Sequence, residues 1–187
     1  MQSYLAVLTL PLIVILVVSR IILMRKLGIK AMRFGEKDKK DFLIPPFALF
    51  YFYLVLASAL GWPKPGFDLF YSEIISWIGA GLCMLGLILF LSGLISFGRS
   101  FRVGIDENHP GPLVTTGAFA ISRNPLYTAF GLILIGIFFI FPNWILLLFL
   151  VAGLWLFNRQ VLREEESLKK IYGEEYLEYC KKVPRYL

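Results

Sequence analysis

A chain of 187 residues with 58% hydrophobic and only 17% charged residues cannot hide its apolar side chains in a soluble core, because a domain of this size has too much surface for its volume. The composition therefore indicates a single integral-membrane domain over residues 1–187. The formal charge of +6 requires no nucleic-acid partner, because basic residues beside membrane spans contact anionic lipids on the cytosolic side.

Five apolar segments are predicted to cross the membrane, at residues 4–23, 42–61, 73–97, 125–141 and 144–157. The first has no basic leader or small-residue cleavage site, so we expect an uncleaved span. The last two are expected to form a helical hairpin bent at Pro142 and Asn143. The predicted fold is an all-α membrane protein with about five transmembrane helices and a cytosolic carboxy-terminal helix.

The basic residues predict the orientation of these spans. In the five-span arrangement Lys64 is the only lysine or arginine on one side, and the other eighteen of the 19 lie at or near the opposite side. Because cytosolic segments are enriched in lysine and arginine, we expect the amino terminus outside and the carboxy terminus in the cytosol. The longer polar segments would then all face a soluble cytosolic co-substrate.

The polar connector before the fourth span contains "GPLVTTGAF" and, shortly after it, "RNPLY". Backbone can approach a ligand closely at glycines such as Gly117, and the start of a helix favours an anionic group. Arg123 could clamp a carboxylate, and Tyr127 could stack on a ring or a sulfonium. An ordinary interfacial helix start is the alternative, with Asn124 as the cap and Pro125 in the first turn.

Three adjacent glutamates, Glu164, Glu165 and Glu166, follow the fifth span. Neighbouring residues on a helix point about 100° apart, so the three carboxylates cannot share one face. We therefore expect at least one to point toward the connector, where it could bind ribose hydroxyls or oppose a cationic ligand. A solvated helix face is the alternative interpretation.

The tail "YGEEYLEYCKKV" carries Tyr172, Tyr176 and Tyr179 at helical spacing. Such an amphipathic stripe predicts a helix packed on the membrane surface or on the connector, and a lid over a ligand is the alternative. Cysteine and histidine contribute little chemistry: two cysteines and the single His109 are too few for a disulfide framework or a metal centre. No metal is therefore expected.

In order and spacing these motifs resemble the isoprenylcysteine carboxyl methyltransferase and phospholipid N-methyltransferase superfamily of integral-membrane enzymes. The similar segments are "LVTTGAF" at 113–119, "RNPLY" at 123–127, "EEESL" at 164–168 and "YGEEYLEY" at 172–179, followed by Val183. The resemblance covers about residues 97–187. It implies that residues 98–187 are the catalytic half, behind three amino-terminal spans in residues 1–97.

The resemblance implies S-adenosylmethionine as methyl donor, bound on the cytosolic side between the connector, the hairpin and the tail. The implied cofactor-binding residues are Leu113, Val114, Gly117, Phe119, Asn124, Tyr127, Glu164 and Glu165. Arg123 and Glu165 are the implied catalytic residues, with Arg123 on the donor's carboxylate or an anionic acceptor. Arg185 is the candidate for binding an acceptor headgroup.

The acceptor is expected to be lipophilic, with a carboxylate, thiol or amine as the reacting group, and to enter from the bilayer. The prenylcysteine enzymes have histidines where this chain has Gly111 and Asn124, so the acceptor stays open. Two other functions remain as alternatives. The tail "KKIYGEEYLEYCKKVP" also resembles membrane sterol reductases that use NADPH, and a small transporter or scaffold would require intramembrane charges or broken helices.

Overall fold

The structure, a computed structural model, describes residues 1–26, 44–98 and 111–187, and most of these residues are helical. Six α-helices follow one another there: α1 (Gln2–Lys26), α2 (Ile44–Leu60), α3 (Glu73–Phe97), α4 (Pro125–Ile140), α5 (Trp144–Tyr172) and α6 (Glu174–Lys182). A short 3-10 helix, Gly117–Ala120, precedes α4. These residues form no β-strand, so the predicted all-α class is confirmed for the described ranges.

Three of the helices, α1, α3 and α5, are long and apolar enough to cross a membrane. The apolar helices α2 and α4 are shorter, with 17 and 16 residues. Each predicted apolar segment therefore coincides with a helix, and the long apolar helices support the prediction of an integral membrane protein. The boundaries follow the sequence signals closely, because α4 begins at Pro125 and α5 directly after Asn143.

The fifth helix extends beyond the predicted membrane span. The predicted span ended at residue 157, whereas α5 continues without a break to Tyr172. Residues 158–172 are rich in glutamate, lysine, arginine and leucine and contain neither glycine nor proline, so helix propensity carries α5 onward. A helix of its 29 residues is about 43 Å long, more than the roughly 30 Å of a hydrocarbon core. The glutamate triplet therefore lies on a charged extension of an apolar helix that is long enough to cross a membrane.

Close packing of α3 along α4 depends on glycines spaced seven residues apart. A Cβ at Gly79 would lie 2.5 Å from the carbonyl oxygen of Gly136, and one at Gly86 would lie 2.5 Å from Ile133 Cγ1. A Cβ at Gly93 would likewise lie 2.7 Å from Leu126 Cδ2. Small residues let membrane helices approach each other backbone to backbone. This contact holds the start of α4 against the last turns of α3.

The turn between α4 and α5 confirms the predicted hairpin bend. Asn143 Oδ1 accepts a hydrogen bond from Ile145 N at 2.9 Å and so caps α5. The Asn143 Nδ2 donates to the carbonyl of Pro65 at 3.3 Å, and Leu69 N donates to the carbonyl of Pro142 at 2.7 Å. These bonds tie the hairpin to the loop between α2 and α3, at the end of the bundle opposite the polar connector.

Candidate functional site

The connector reaches α4 through the short 3-10 helix, which Ser96 of α3 anchors. Ser96 Oγ accepts from Ala118 N at 2.9 Å and donates to Ser92 O at 2.7 Å. Gly117 has a φ of +63°, and a Cβ there would lie 3.0 Å from Ser96 Cβ and closer still to its hydroxyl. Only glycine meets both conditions without strain, so Gly117 fixes the path of the connector.

Arg123 binds protein groups through all three nitrogens of its guanidinium. Nε donates to Glu165 Oε1 at 3.2 Å, and Nη2 lies 3.1 Å from the same oxygen. The Nη1 donates to the carbonyls of Cys180 at 3.0 Å and Val183 at 3.1 Å, where the end of α6 favours a cation. The backbone N–H donates to Pro184 O at 2.9 Å. Arg123 thus joins α4, α5 and the tail, and its role toward a methyl donor stays a prediction.

Glu165 lies at the centre of an arginine–glutamate cluster, which consists of Arg123, Asn124, Glu165 and Arg185. Its Oε1 also accepts from Asn124 Nδ2 at 3.1 Å, and its Oε2 accepts from Arg185 Nε and Nη2 at 3.0 and 2.9 Å. Its side chain is only 3% exposed. The hydrogen bonds to Glu165 raise the pKa of Arg185, although burial works in the opposite direction. Protein donors therefore occupy both carboxylate oxygens.

Asn124 stands at the cap position of α4 but makes no cap. Pro125 occupies the first turn as predicted, whereas no side-chain hydrogen bond caps this helix, so the interpretation of Asn124 as a capping side chain is wrong. Its Nδ2 instead donates to Glu165 and to the carbonyl of Arg185 at 3.2 Å. The bond that Nδ2 donates to the charged carboxylate directs the side chain toward α5, and the first turn of α4 stays without a side-chain cap.

Glu164 lies in a second contact beside this cluster. Its Oε1 accepts from Tyr127 Oη at 2.7 Å and from Gln160 Nε2 at 3.0 Å. The ring of Tyr127 packs at 5.9 Å from that of Phe157. Within the described residues, Glu164 Oε2 has no protein donor. The third glutamate, Glu166, is exposed, so the triplet divides between three directions as helical geometry requires.

The tyrosine stripe packs α6 against the connector. Tyr176 and Tyr179 are buried together with Val183, and the half-buried Leu113 of the connector packs on them. Tyr179 Oη donates to the carbonyl of Phe119 at 2.5 Å. Burial raises the pKa of Tyr179 to about 12, although the charge of Arg123 works in the opposite direction. These contacts support a packed helix, and a lid function stays untested.

The structure brings most of the predicted site residues together. Arg123, Asn124, Glu165 and Arg185 share hydrogen bonds, Tyr127 pairs with Glu164, and Leu113 and Phe119 contact α6. Val114 is half-buried on the connector, near Gly117 in the chain. No described hydrogen bond links Val114 or Gly117 to the arginine–glutamate cluster. The contact of Gly117 with Ser96 nevertheless fixes the segment that contains both residues. In the described part of the chain, the backbone N–H groups of Leu113 and Val114 have no protein acceptor.

Sequence reasoning missed two polar residues of this region. Ser122 is fully buried, accepts from Asn124 N and donates to the carbonyl of Arg185, both at 3.2 Å. Gln160 precedes Glu164 by one helical turn, a spacing that could have identified it once α5 was known to continue. In the described ranges, no three His, Cys, Asp or Glu side chains lie together as metal ligands. His109 lies outside those ranges.

Comparison with known proteins gives a consistent result. The model of the phospholipid methyltransferase family matches residues 74–175, more than half of the chain. Protein-S-isoprenylcysteine O-methyltransferase B of Arabidopsis thaliana is 33% identical over 115 residues, which cover 59% of this chain and 57% of that protein. The mouse (Mus musculus) protein-S-isoprenylcysteine O-methyltransferase is 34% identical over 125 residues, which cover 63% and 44%.

The enzyme of the same name from Schizosaccharomyces pombe is 33% identical over 107 residues, which cover 56% of this chain and 45% of that protein. The chain spans about half the length of the curated relatives it matches. The region matched by the family contains the connector, the start of α4 and the glutamate triplet. These findings confirm the resemblance seen in the sequence: the chain belongs to the phospholipid methyltransferase family.

Proposed function

We propose that the protein is an S-adenosylmethionine-dependent methyltransferase that acts at the membrane interface on a lipophilic acceptor. Family membership and the names of the relatives support this activity. The observation that carries the proposal is a convergence. Arg123 at the start of α4 contacts Glu165 on the extension of α5, and Tyr179 of α6 contacts the connector at Phe119.

The residues around Glu164 fit a nucleoside-containing methyl donor. Its second carboxylate oxygen, without a described protein donor, can accept ribose hydroxyls or the donor's ammonium group. Tyr127 offers an aromatic face beside it. The N–H groups of Leu113 and Val114 can bind the polar edge of an adenine, and their half-buried side chains supply apolar contact. The bound donor would supply an electrophilic methyl group on a sulfonium.

The arginine–glutamate cluster has a supporting role in this proposal. The acidic extension of α5 is held at the start of α4 because Glu165 binds Arg123 and Asn124 on one oxygen and Arg185 on the other. The contacts of Arg123 with the carbonyls of Cys180 and Val183 hold the end of α6 in the same place. These contacts fix the positions of the helices around the site. A fixed site would restrict the motion of the bound methyl donor and acceptor, and restricted motion accelerates an in-line displacement.

The acceptor is proposed to approach from the bilayer, because α5 is continuous from the apolar layer to the glutamates. A carboxylate or thiolate would attack the methyl group without a general base, whereas an amine would need a proton acceptor. The proposal includes five spans, an amino terminus outside, and α6 with the site in the cytosol. A prenylated cysteine is the first acceptor to try, since the relatives are named for it.

Calorimetry on the purified protein in detergent tests the donor. We expect binding of S-adenosylhomocysteine and no binding of NADPH. Binding of NADPH alone would reject the methyltransferase proposal in favour of a reductase. Glu164→Gln is expected to weaken the binding of S-adenosylhomocysteine at least tenfold, because one charge-assisted bond to a ligand contributes about 1.5–3 kcal/mol. The matched control is Glu166→Gln, two positions along the same helix and exposed, which should leave the affinity unchanged.

Mass spectrometry tests the acceptor. Membrane extract incubated with the protein and an isotopically labelled methyl donor should yield a labelled lipophilic product, and at least tenfold less of it at a sub-saturating donor concentration when Glu164→Gln replaces the wild type. Binding of S-adenosylhomocysteine without any labelled lipid or prenylated product would reject the lipophilic acceptor.

Neither the family nor the relatives support the transporter or scaffold alternative.

A further inference from the structure

The charges of the arginine–glutamate cluster do not balance. It contains two guanidinium groups, on Arg123 and Arg185, and one carboxylate, on Glu165. Arg123 also binds the carbonyls of Cys180 and Val183, and the end of a helix carries about half a negative charge there. Its positive charge is therefore largely compensated. Within the described ranges, Arg185 has only the remaining oxygen of Glu165 as a charged partner.

The surplus charge lies on the most accessible member of the cluster. The side chains of Arg123 and Glu165 are 11% and 3% exposed, whereas that of Arg185 is 39% exposed. Arg185 binds Glu165 through Nε and Nη2. Among the described residues, its Nη1 has no acceptor. One edge of the guanidinium is thus bound to the protein, and another donor remains available to a ligand.

The backbone holds Arg185 in a defined position. Ser122 Oγ and Asn124 Nδ2 both donate to its carbonyl oxygen at 3.2 Å. The neighbouring Tyr186 Oη donates to Asn158 Oδ1 at 3.0 Å, which ties the segment to α5 on its other side. An arginine fixed in this way loses little conformational entropy when it binds a ligand. It also lies beside the start of α4, whose first turn has no side-chain cap and favours a negative charge.

We propose that Arg185 is the residue that binds the carboxylate of a ligand in the methyl-transfer site. This inference rests on the proposed function. It transfers to Arg185 the anion contact expected of Arg123, whose guanidinium nitrogens all bind protein acceptors. Two ligands could present the carboxylate: the amino-acid part of the methyl donor, or an acceptor such as a prenylated cysteine. Both offer the same planar, bidentate partner to a guanidinium.

Binding measurements with paired ligands separate the two sources. The donor pair is S-adenosylhomocysteine and its methyl ester, and the acceptor pair is S-farnesylcysteine and its methyl ester. For the ligand whose carboxylate Arg185 binds, wild-type protein should bind the acid at least tenfold more tightly than the ester. Arg185→Gln should reduce this preference to near unity by weakening the acid and leaving the ester unchanged.

The matched control is Arg163→Gln, which removes an exposed arginine of α5 and should keep the preference for the acid. A preference that disappears for the donor pair assigns the donor's carboxylate, and one that disappears for the acceptor pair assigns the acceptor's. The proposal is overturned if Arg185→Gln keeps the wild-type preference in both pairs. If Arg185→Gln does not fold, wild-type protein without an acid preference in either pair overturns it equally. Wild-type protein that binds neither S-adenosylhomocysteine nor its ester instead rejects the proposed function.

Discussion

Glu165 shows what a single residue contributes and what a sequence can say about it. The motif indicated that this glutamate and Arg123 belong to a site, although 42 residues separate them. The motif did not indicate that the two bind each other, because the same residues could equally have bound a ligand directly. Their pairing follows from the length of α5, which places Glu165 at the start of α4.

Glu165→Gln is expected to destabilise the protein by about 3 kcal/mol, because removal of one partner from a buried ion pair leaves the other charges uncompensated. The amide retains an acceptor oxygen, but Arg123 and Arg185 would then face each other without a negative charge. Thermal unfolding in detergent measures the loss. Glu166→Gln, at an exposed position, should stay within about 0.5 kcal/mol of wild type. Equal midpoints for the two variants would contradict a central role for Glu165.

Comparison of Gly117→Ala with Gly173→Ala separates the cost of a steric contact from the cost of backbone strain. Alanine at this positive φ costs about 1 kcal/mol, and the contact of its Cβ with Ser96 adds to that cost. Gly173→Ala is the matched control, because Gly173 has a φ of +54° and no atom within 4 Å of its Cβ position. We expect a larger loss of thermal stability at Gly117. A loss at Gly173 as large as that at Gly117 would show that Ser96 does not constrain the connector.

At the scale of elements, packing of α3 on α4 is the contact most sensitive to one added methyl group. A Cβ on residue 136 would lie 2.6 Å from the carbonyl of Gly79 and 2.7 Å from Cys83 Sγ. Gly136→Ala should therefore destabilise the protein by about 1–3 kcal/mol through overpacking. Gly81→Ala, in α3 with nothing within 4 Å, should be neutral or stabilising in the same unfolding assay. A neutral Gly136→Ala would refute close helix contact.

The packing of α6 against the connector should weaken at alkaline pH. Burial raises the pKa of Tyr179 from its ordinary 10 to about 12. Since the folded pKa is the higher one, this contribution to stability is complete below about pH 10 and is lost as the pH rises toward 12. We expect unfolding midpoints to fall over that interval, and less steeply in Tyr179→Phe. Identical slopes for the two proteins would mean that Tyr179 titrates as an exposed residue.

The elements themselves were largely predictable, because apolar runs and proline or asparagine at their borders mark membrane helices clearly. The continuity of α5 was not, since residues 158–172 were expected to be helical but their polar sequence does not show that they extend the preceding span without a break. In the alternative interpretation of the connector, the side chain of Asn124 was expected to cap α4. Its actual partners, Glu165 and the carbonyl of Arg185, come from distant parts of the chain, and no local rule identifies them.

For the whole molecule, the proposed orientation can be tested by labelling with a membrane-impermeant maleimide in intact cells. In a Cys180→Ser background, Lys64→Cys should react from outside, and Lys182→Cys should react only after the membrane is permeabilised. Cys83 is fully buried and should stay silent. The reverse labelling pattern would show that the protein has the opposite orientation, with the site outside the cell. Reaction of both positions from one side would reject an odd number of spans between them.

One feature of α5 connects the lipid surroundings with the chemistry proposed at its end. The same continuous helical rod is long and apolar enough to cross a membrane, and it carries Glu164 to Tyr127 with no break before Gly173. Membranes of different thickness tilt such a rod by different amounts. A few degrees of tilt would shift its far end by ångströms, so turnover in short-chain and long-chain lipid vesicles should differ even with the same donor and acceptor.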